Sequence, residues 1–150
     1  MYPTNQAVLP QSLRSYQAVA AQTAPRGHLV VMLYDGAIRF LERALGGFDH
    51  DDPLEFNRTI NNNVLRAQEI INELNGSLDM AQGGELAMTL RALYNYMSRQ
   101  LVLSNTRKTP EGIRDTIHRL AVLREAWNQA LCRTDDTAPA GRFEPFAAVS

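Results

Sequence analysis

Cysteine is nearly missing from this 150-residue chain. The single Cys132 can close no internal disulfide, which agrees with a reducing compartment. Long apolar runs are missing as well: no window approaches the roughly 18 consecutive apolar residues that a membrane-spanning helix needs. The opening Met1-Tyr2-Pro3-Thr4-Asn5-Gln6 lacks the basic stretch and apolar core of a secretory signal, so the expected location is the cytoplasm, without membrane insertion. Basic runs are lacking too. With 15 Lys+Arg against 16 Asp+Glu and a formal net charge of −1, no segment can neutralise several phosphates at once, and nucleic acid is not an expected partner.

The patterns that carry chemistry are also absent. His28, His50 and His118 lie far apart, and none has a second ligand at metal spacing on its own helix face. Asp49-His50-Asp51-Asp52 lacks the alternating oxygens, central glycine and distal glutamate of a calcium loop. Gly83-Gly84 precedes a helix, but no phosphate-binding motif surrounds it and no strand leads into it. Nothing placed by sequence activates Cys132, and no serine sits in an elbow motif. The sequence therefore predicts no catalytic residue, no metal and no cofactor: the chain is not an enzyme.

What the chain does have is a near-average share of apolar residues, 45%, against 21% charged, arranged with a period close to 3.6 residues. Proline and glycine divide it into one short and four long helices. Pro10 to Ala21 is the short one, carrying Leu13, Tyr16 and Ala20. The second runs from Pro25 to Gly46-Gly47, with Leu29, Leu33, Ala37, Phe40, Ala44 and Phe48 as its stripe. Asp52-Pro53 starts the third as an N-cap followed by a first-turn proline, and Ile60, Val64, Ala67, Ile71, Leu74 and Leu78 mark its inner face. The fourth follows Gly83-Gly84 and runs to about Thr106, with Leu86, Leu90, Leu93, Met97 and Leu101 inward. The fifth follows Thr109-Pro110-Glu111 with Ile113, Ile117, Leu120, Leu123, Trp127 and Leu131.

Short connections force neighbouring helices to run antiparallel. The predicted fold is thus all-α: an antiparallel four-helix bundle, up-down-up-down, with a short extra N-terminal helix. Residues 1–9 form a mobile segment, 10–132 the bundle, and 133–150 a disordered tail. Val30, Val31, Tyr34, Ile38, Ile70, Tyr94 and Tyr96 fall outside the stripes, and one axis does not accommodate them all. Some are expected at the surface, where either the short first helix covers them or they offer a groove to a partner helix.

Pro25 to Arg39 reads PRGHLVVMLYDGAIR, Arg66 to Leu74 reads RAQEIINEL, Gly83 to Leu101 reads GGELAMTLRALYNYMSRQL, and Leu123 to Gln129 reads LREAWNQ. In order and spacing these segments, spread between about Leu13 and Leu131, resemble the flagellar secretion chaperone FliS family. The resemblance implies a cytoplasmic helical bundle that binds the C-terminal segment of flagellin, prevents its premature polymerisation and delivers it to a component of the flagellar export gate. Covering an amphipathic client's apolar face raises the cost of its self-association without a chemical step. The alternative within the same architecture is an adaptor or regulator that binds another amphipathic flagellar protein. A homodimer is left open.

Residue by residue, Leu13 and Tyr16 match the family's N-terminal segment beside the client surface. Met32, Leu33 and Tyr34 match its M-L-Y segment, and Ala67 and Ile71 its K-A-x-x-I-I pattern. These seven are the candidate partner-binding residues. For Leu33 and Ile71, which lie on inward stripes, core packing competes with direct contact. Tyr94, Tyr96 and Trp127 read as bundle anchors. The tail residues Arg142-Phe143-Glu144-Pro145-Phe146 have no family counterpart.

Overall fold

The computed structural model describes residues 26–137, with side chains as far as Cys132. The predicted short helix at Pro10 to Ala21, the first nine residues and the chain beyond Thr137 lie outside the described residues. Within them stand four helices: α1 (Arg26–Gly47), α2 (Pro53–Gly76), α3 (Gly84–Arg107) and α4 (Glu111–Thr137). Each packs on the next and α4 returns to α1, so the four close a ring in chain order. This is the antiparallel four-helix bundle that the apolar periodicity and short connections predict. α4 continues to Thr137, past the expected end at Cys132.

α1 is the most enclosed helix. Val30, Leu33, Tyr34, Ala37, Ile38, Phe40, Leu41 and Ala44 are all buried, an arc much wider than one stripe. Of the off-stripe residues of this helix, some of them expected at the surface, Val30, Tyr34 and Ile38 are buried and Val31 is half-buried. α2 and α4 press on α1 from both flanks more closely than either presses on α3, so positions beside the stripe are covered too. Ile70 and Tyr94, the second of them read as a bundle anchor, are buried as well: each lies on a flank facing a neighbouring helix.

Gly47 ends α1 where a glycine stop was predicted, but its physical role differs. Among the described residues the only glycine with positive φ is Gly84, at 57°. A Cβ on Gly47 would lie 2.9 Å from Thr59 Cγ2 and 3.0 Å from Ile60 Cγ1. The residue is small so that α2 can cross close to the end of α1, not because the backbone turns left there.

α2 follows its prediction closely. Asp52 caps it, its carboxylate accepting from the Glu55 backbone N–H at 3.1 Å, and Pro53 occupies the first turn, where a missing N–H costs nothing. Ile60, Val64, Ala67, Ile71 and Leu74 form its buried face. α3 is rotated from the predicted phase: its buried residues are Ala87, Leu90, Tyr94, Met97, Leu101 and Ser104, at spacings of three and four. Leu86, expected inward, is 44% exposed, because Ala87 takes the inward place at that end of the helix. α3 closes on Lys108, a left-handed residue with φ 53°. Its Nζ donates to the Asn105 carbonyl at 2.7 Å, supplying one of the acceptor groups left open at a helix end with a partner.

Candidate functional site

Three of the segments that carry the resemblance meet inside the bundle. Tyr34 of α1 and Tyr94 of α3 share a hydroxyl–hydroxyl hydrogen bond of 2.7 Å at full burial. Trp127 of α4 stands edge-on to the Tyr34 ring, with centroids 6.5 Å apart and planes at 66°. One turn away on the rim, Arg124 Nη1 donates to Asp35 Oδ1 at 2.9 Å. The three aromatic residues thus tie α1, α3 and α4 together, and the two buried hydroxyls partner each other, the condition under which polar atoms are tolerated in a core.

Burial is the main reason both phenols hold their protons. Tyr94 is pushed up to about 12, with the Tyr34 hydrogen bond acting in the opposite sense. Tyr34 is raised further, by burial first and by Tyr94 second. In the unfolded chain both ionise near pH 10. Below pH 10 both states are protonated and the contribution to stability is complete. As pH rises from about 10 to about 12 the unfolded state alone loses protons, and that contribution is lost. The melting temperature is expected to stay level with respect to these groups up to pH ~9 and to fall above pH ~10. The double variant Tyr34→Phe, Tyr94→Phe should lose stability less steeply in that range; equal slopes would show that other groups set the alkaline limit.

The candidate partner-binding residues lie as follows. Leu33, Tyr34, Ala67 and Ile71 are buried in the α1–α2 side of the core, and Met32 is half-buried beside them. A client touching the first four directly would have to part the helices. Leu13 and Tyr16 lie outside the described residues.

The exposed large apolar side chains are elsewhere. They are Leu54 and Leu65 on α2, Met80 in the α2–α3 connection, Leu86, Met88, Val102 and Leu103 on α3, and Val122 on α4; among the described residues α1 has none. Half of them belong to α3. On its outward side Met88, Ala92, Asn95, Arg99 and Val102 follow one another at spacings of four and three, all exposed, with apolar groups at both ends and polar groups between. Met88 is 63% exposed and Val102 52%.

Polar contacts bound this face on both sides. Towards α2, Asn105 Nδ2 donates to Asn61 Oδ1 at 2.8 Å, and Asn75 Nδ2 donates to Asn95 Oδ1 at 3.0 Å. Towards α4, the Arg119 guanidinium lies 4.6 Å over the Tyr96 ring. The signal in the sequence was available: Met88, Val102 and Leu65 are large apolar residues that match no inward stripe. The off-stripe residues Val30, Tyr34 and Ile38 of α1, by contrast, are buried.

Among the described residues no three His, Cys, Asp or Glu side chains gather as metal ligands, and no helix is long and apolar enough to cross a membrane. Cys132 is exposed beside an open depression that it shares with Glu125, Asn128 and Gln129.

The sequence matches the family described as flagellar protein FliS over residues 9–134. The chain belongs to the FliS family. Among curated relatives, the flagellar secretion chaperone FliS of Bacillus subtilis is 33% identical over 117 residues, covering 78% of this chain and 84% of its own. That of Salmonella typhimurium is 32% identical over 122 residues, covering 78% and 87%. The Escherichia coli FliS is 32% identical over 113 residues, covering 75% and 80%. The FliS family is one of chaperones, not of enzymes. In this FliS-family chain the Tyr34, Tyr94 and Trp127 cluster is buried and the outward row on α3 is exposed.

Proposed function

We propose that this protein is a cytoplasmic flagellar export chaperone that binds the C-terminal segment of flagellin, keeps it from polymerising and delivers it to the export gate. Family membership across residues 9–134 carries the reading. The apolar row on α3 supports it physically, because an amphipathic client helix can lay its own stripe across Met88 and Val102 while its polar edges meet Asn95 and Arg99. Leu13 and Tyr16 belong to the same proposal as N-terminal contacts. Leu33, Tyr34, Ala67 and Ile71 belong to it as buried residues that fix how the helices pack, with Met32 half-buried beside them.

Calorimetric titration with a purified flagellin C-terminal segment tests the reading. Saturable binding with a negative heat-capacity change is expected, as apolar burial requires. Heats no larger than dilution would remove flagellin as the client. A fully buried side chain of this size contributes about 1.5–3 kcal/mol. The double variant Met88→Ser, Val102→Ser should therefore weaken binding by more than about tenfold, with the melting temperature nearly unchanged because both residues are exposed. Tyr16→Ala should likewise weaken binding more than it lowers the melting temperature; equal loss of both would assign Tyr16 to the core.

A further inference from the structure

Asn75 stands in the last turn of α2 and is followed by Gly76. Gly76 is exposed, and the space a Cβ would occupy there is open. In such a pair no side chain shields the following main-chain nitrogen from the asparagine carboxamide. Every other asparagine of α2 and α3 precedes a residue with a side chain. The comparable pair Asp35-Gly36 lies in mid-helix with Gly36 buried. Arg91 of α3 grips Asn75 at two points: its Nε donates to Asn75 Oδ1 at 3.1 Å and its Nη2 to the Asn75 carbonyl at 3.1 Å. Asn75 Nδ2 is held in turn by Asn95 Oδ1.

We propose that Asn75 is a spontaneous deamidation site whose rate is set by Arg91. The Gly76 nitrogen gives its proton to hydroxide and attacks Cγ of Asn75. The N–Cγ bond forms, the Cγ–Nδ2 bond breaks, and the amide leaves as ammonia after taking a proton from water. Water then adds to either carbonyl of the resulting succinimide, opening it to aspartate or isoaspartate. Helical backbone holds the Gly76 nitrogen away from the side chain, so the reaction requires the last turn of α2 to open, a local event of the kind that helix ends undergo. Arg91 acts as a positioning residue by keeping that turn closed.

Reaction converts an amide that donates to Asn95 into a carboxylate that cannot. The isoaspartate branch also lengthens the main chain by one methylene just before the connection that carries Met80.

The test incubates the full chain at mildly alkaline pH and follows each asparagine and Asp35 by peptide mapping with fragment-ion sequencing. Amide-to-acid conversion is expected first at Asn75. Arg91→Met should accelerate it by at least about tenfold, the factor that corresponds to one hydrogen bond to a charged group. Gly76→Ala should suppress conversion in both backgrounds. Isoaspartate at Asp35-Gly36, followed in a parallel incubation at mildly acidic pH where the protonated carboxyl can lose water, reports opening of α1 and hence of the whole bundle. Conversion rising equally at both positions in Arg91→Met, equal rates in wild type and variant, or earlier conversion at another asparagine would each overturn the proposal.

Discussion

Replacing Trp127 with alanine is expected to cost the fold about 3–5 kcal/mol, the range for removing a large buried aromatic ring. Trp127 is 4% exposed, and its ring fills the space between α4 and the Tyr34 ring. Truncation leaves a cavity and also removes the edge-on contact with the Tyr34 ring, so a transfer loss and a cavity loss act together. Urea unfolding followed by circular dichroism measures the sum. Trp127→Phe keeps much of the ring volume, and a smaller cost of about 1 kcal/mol is expected. If Trp127→Ala costs under about 1 kcal/mol, α4 does not pack through this ring and its place in the bundle is wrong.

Gly112→Ala is the second large effect, expected to cost about 1–3 kcal/mol through overpacking. The added methyl has no room. An ideal Cβ at this position falls on top of Ser104 Oγ and 2.8 Å from the Gln100 carbonyl oxygen, so the start of α4 lies directly on the backbone of α3. Ser104→Gly in the same chain removes one obstacle and should recover part of the loss. The main-chain oxygen of Gln100 remains, so recovery should be incomplete; full recovery would place the whole strain at Ser104. Thr116 adds to the constraint, since its hydroxyl donates to the Gly112 carbonyl at 2.8 Å and fixes that turn.

The bundle was legible in the sequence wherever a stripe is single and strong. α2 is the plain case: Ile60, Val64, Ala67, Ile71 and Leu74 were read as its inner face and are buried. α3 was harder because apolar residues surround it, and period alone does not choose between the row containing Leu86 and Leu93 and the row containing Ala87 and Tyr94. Packing chose the second, and Tyr94 enters the core because Tyr34 supplies a partner for its hydroxyl. A pairing 60 positions apart in sequence leaves no local trace. Glycine was read through its torsional freedom, whereas Gly47 and Gly112 are needed for want of space, a property of the neighbouring helix. The exposed apolar surface was illegible for a similar reason. Off-stripe residues on α1 meet two close neighbours, and off-stripe residues on α3 meet water.

The side-chain amides along the α2–α3 seam close it only at its rim. Asn61–Asn105 and Asn75–Asn95 are bonds that water can replace with little loss. Ala87, Leu90, Tyr94, Met97 and Leu101 are buried along the whole helix and have no such substitute. The rim of the seam can therefore wet while the helix stays anchored from end to end. Met88 and Val102 stand on a fixed face, so a client would have to shape itself to the bundle and not the bundle to the client.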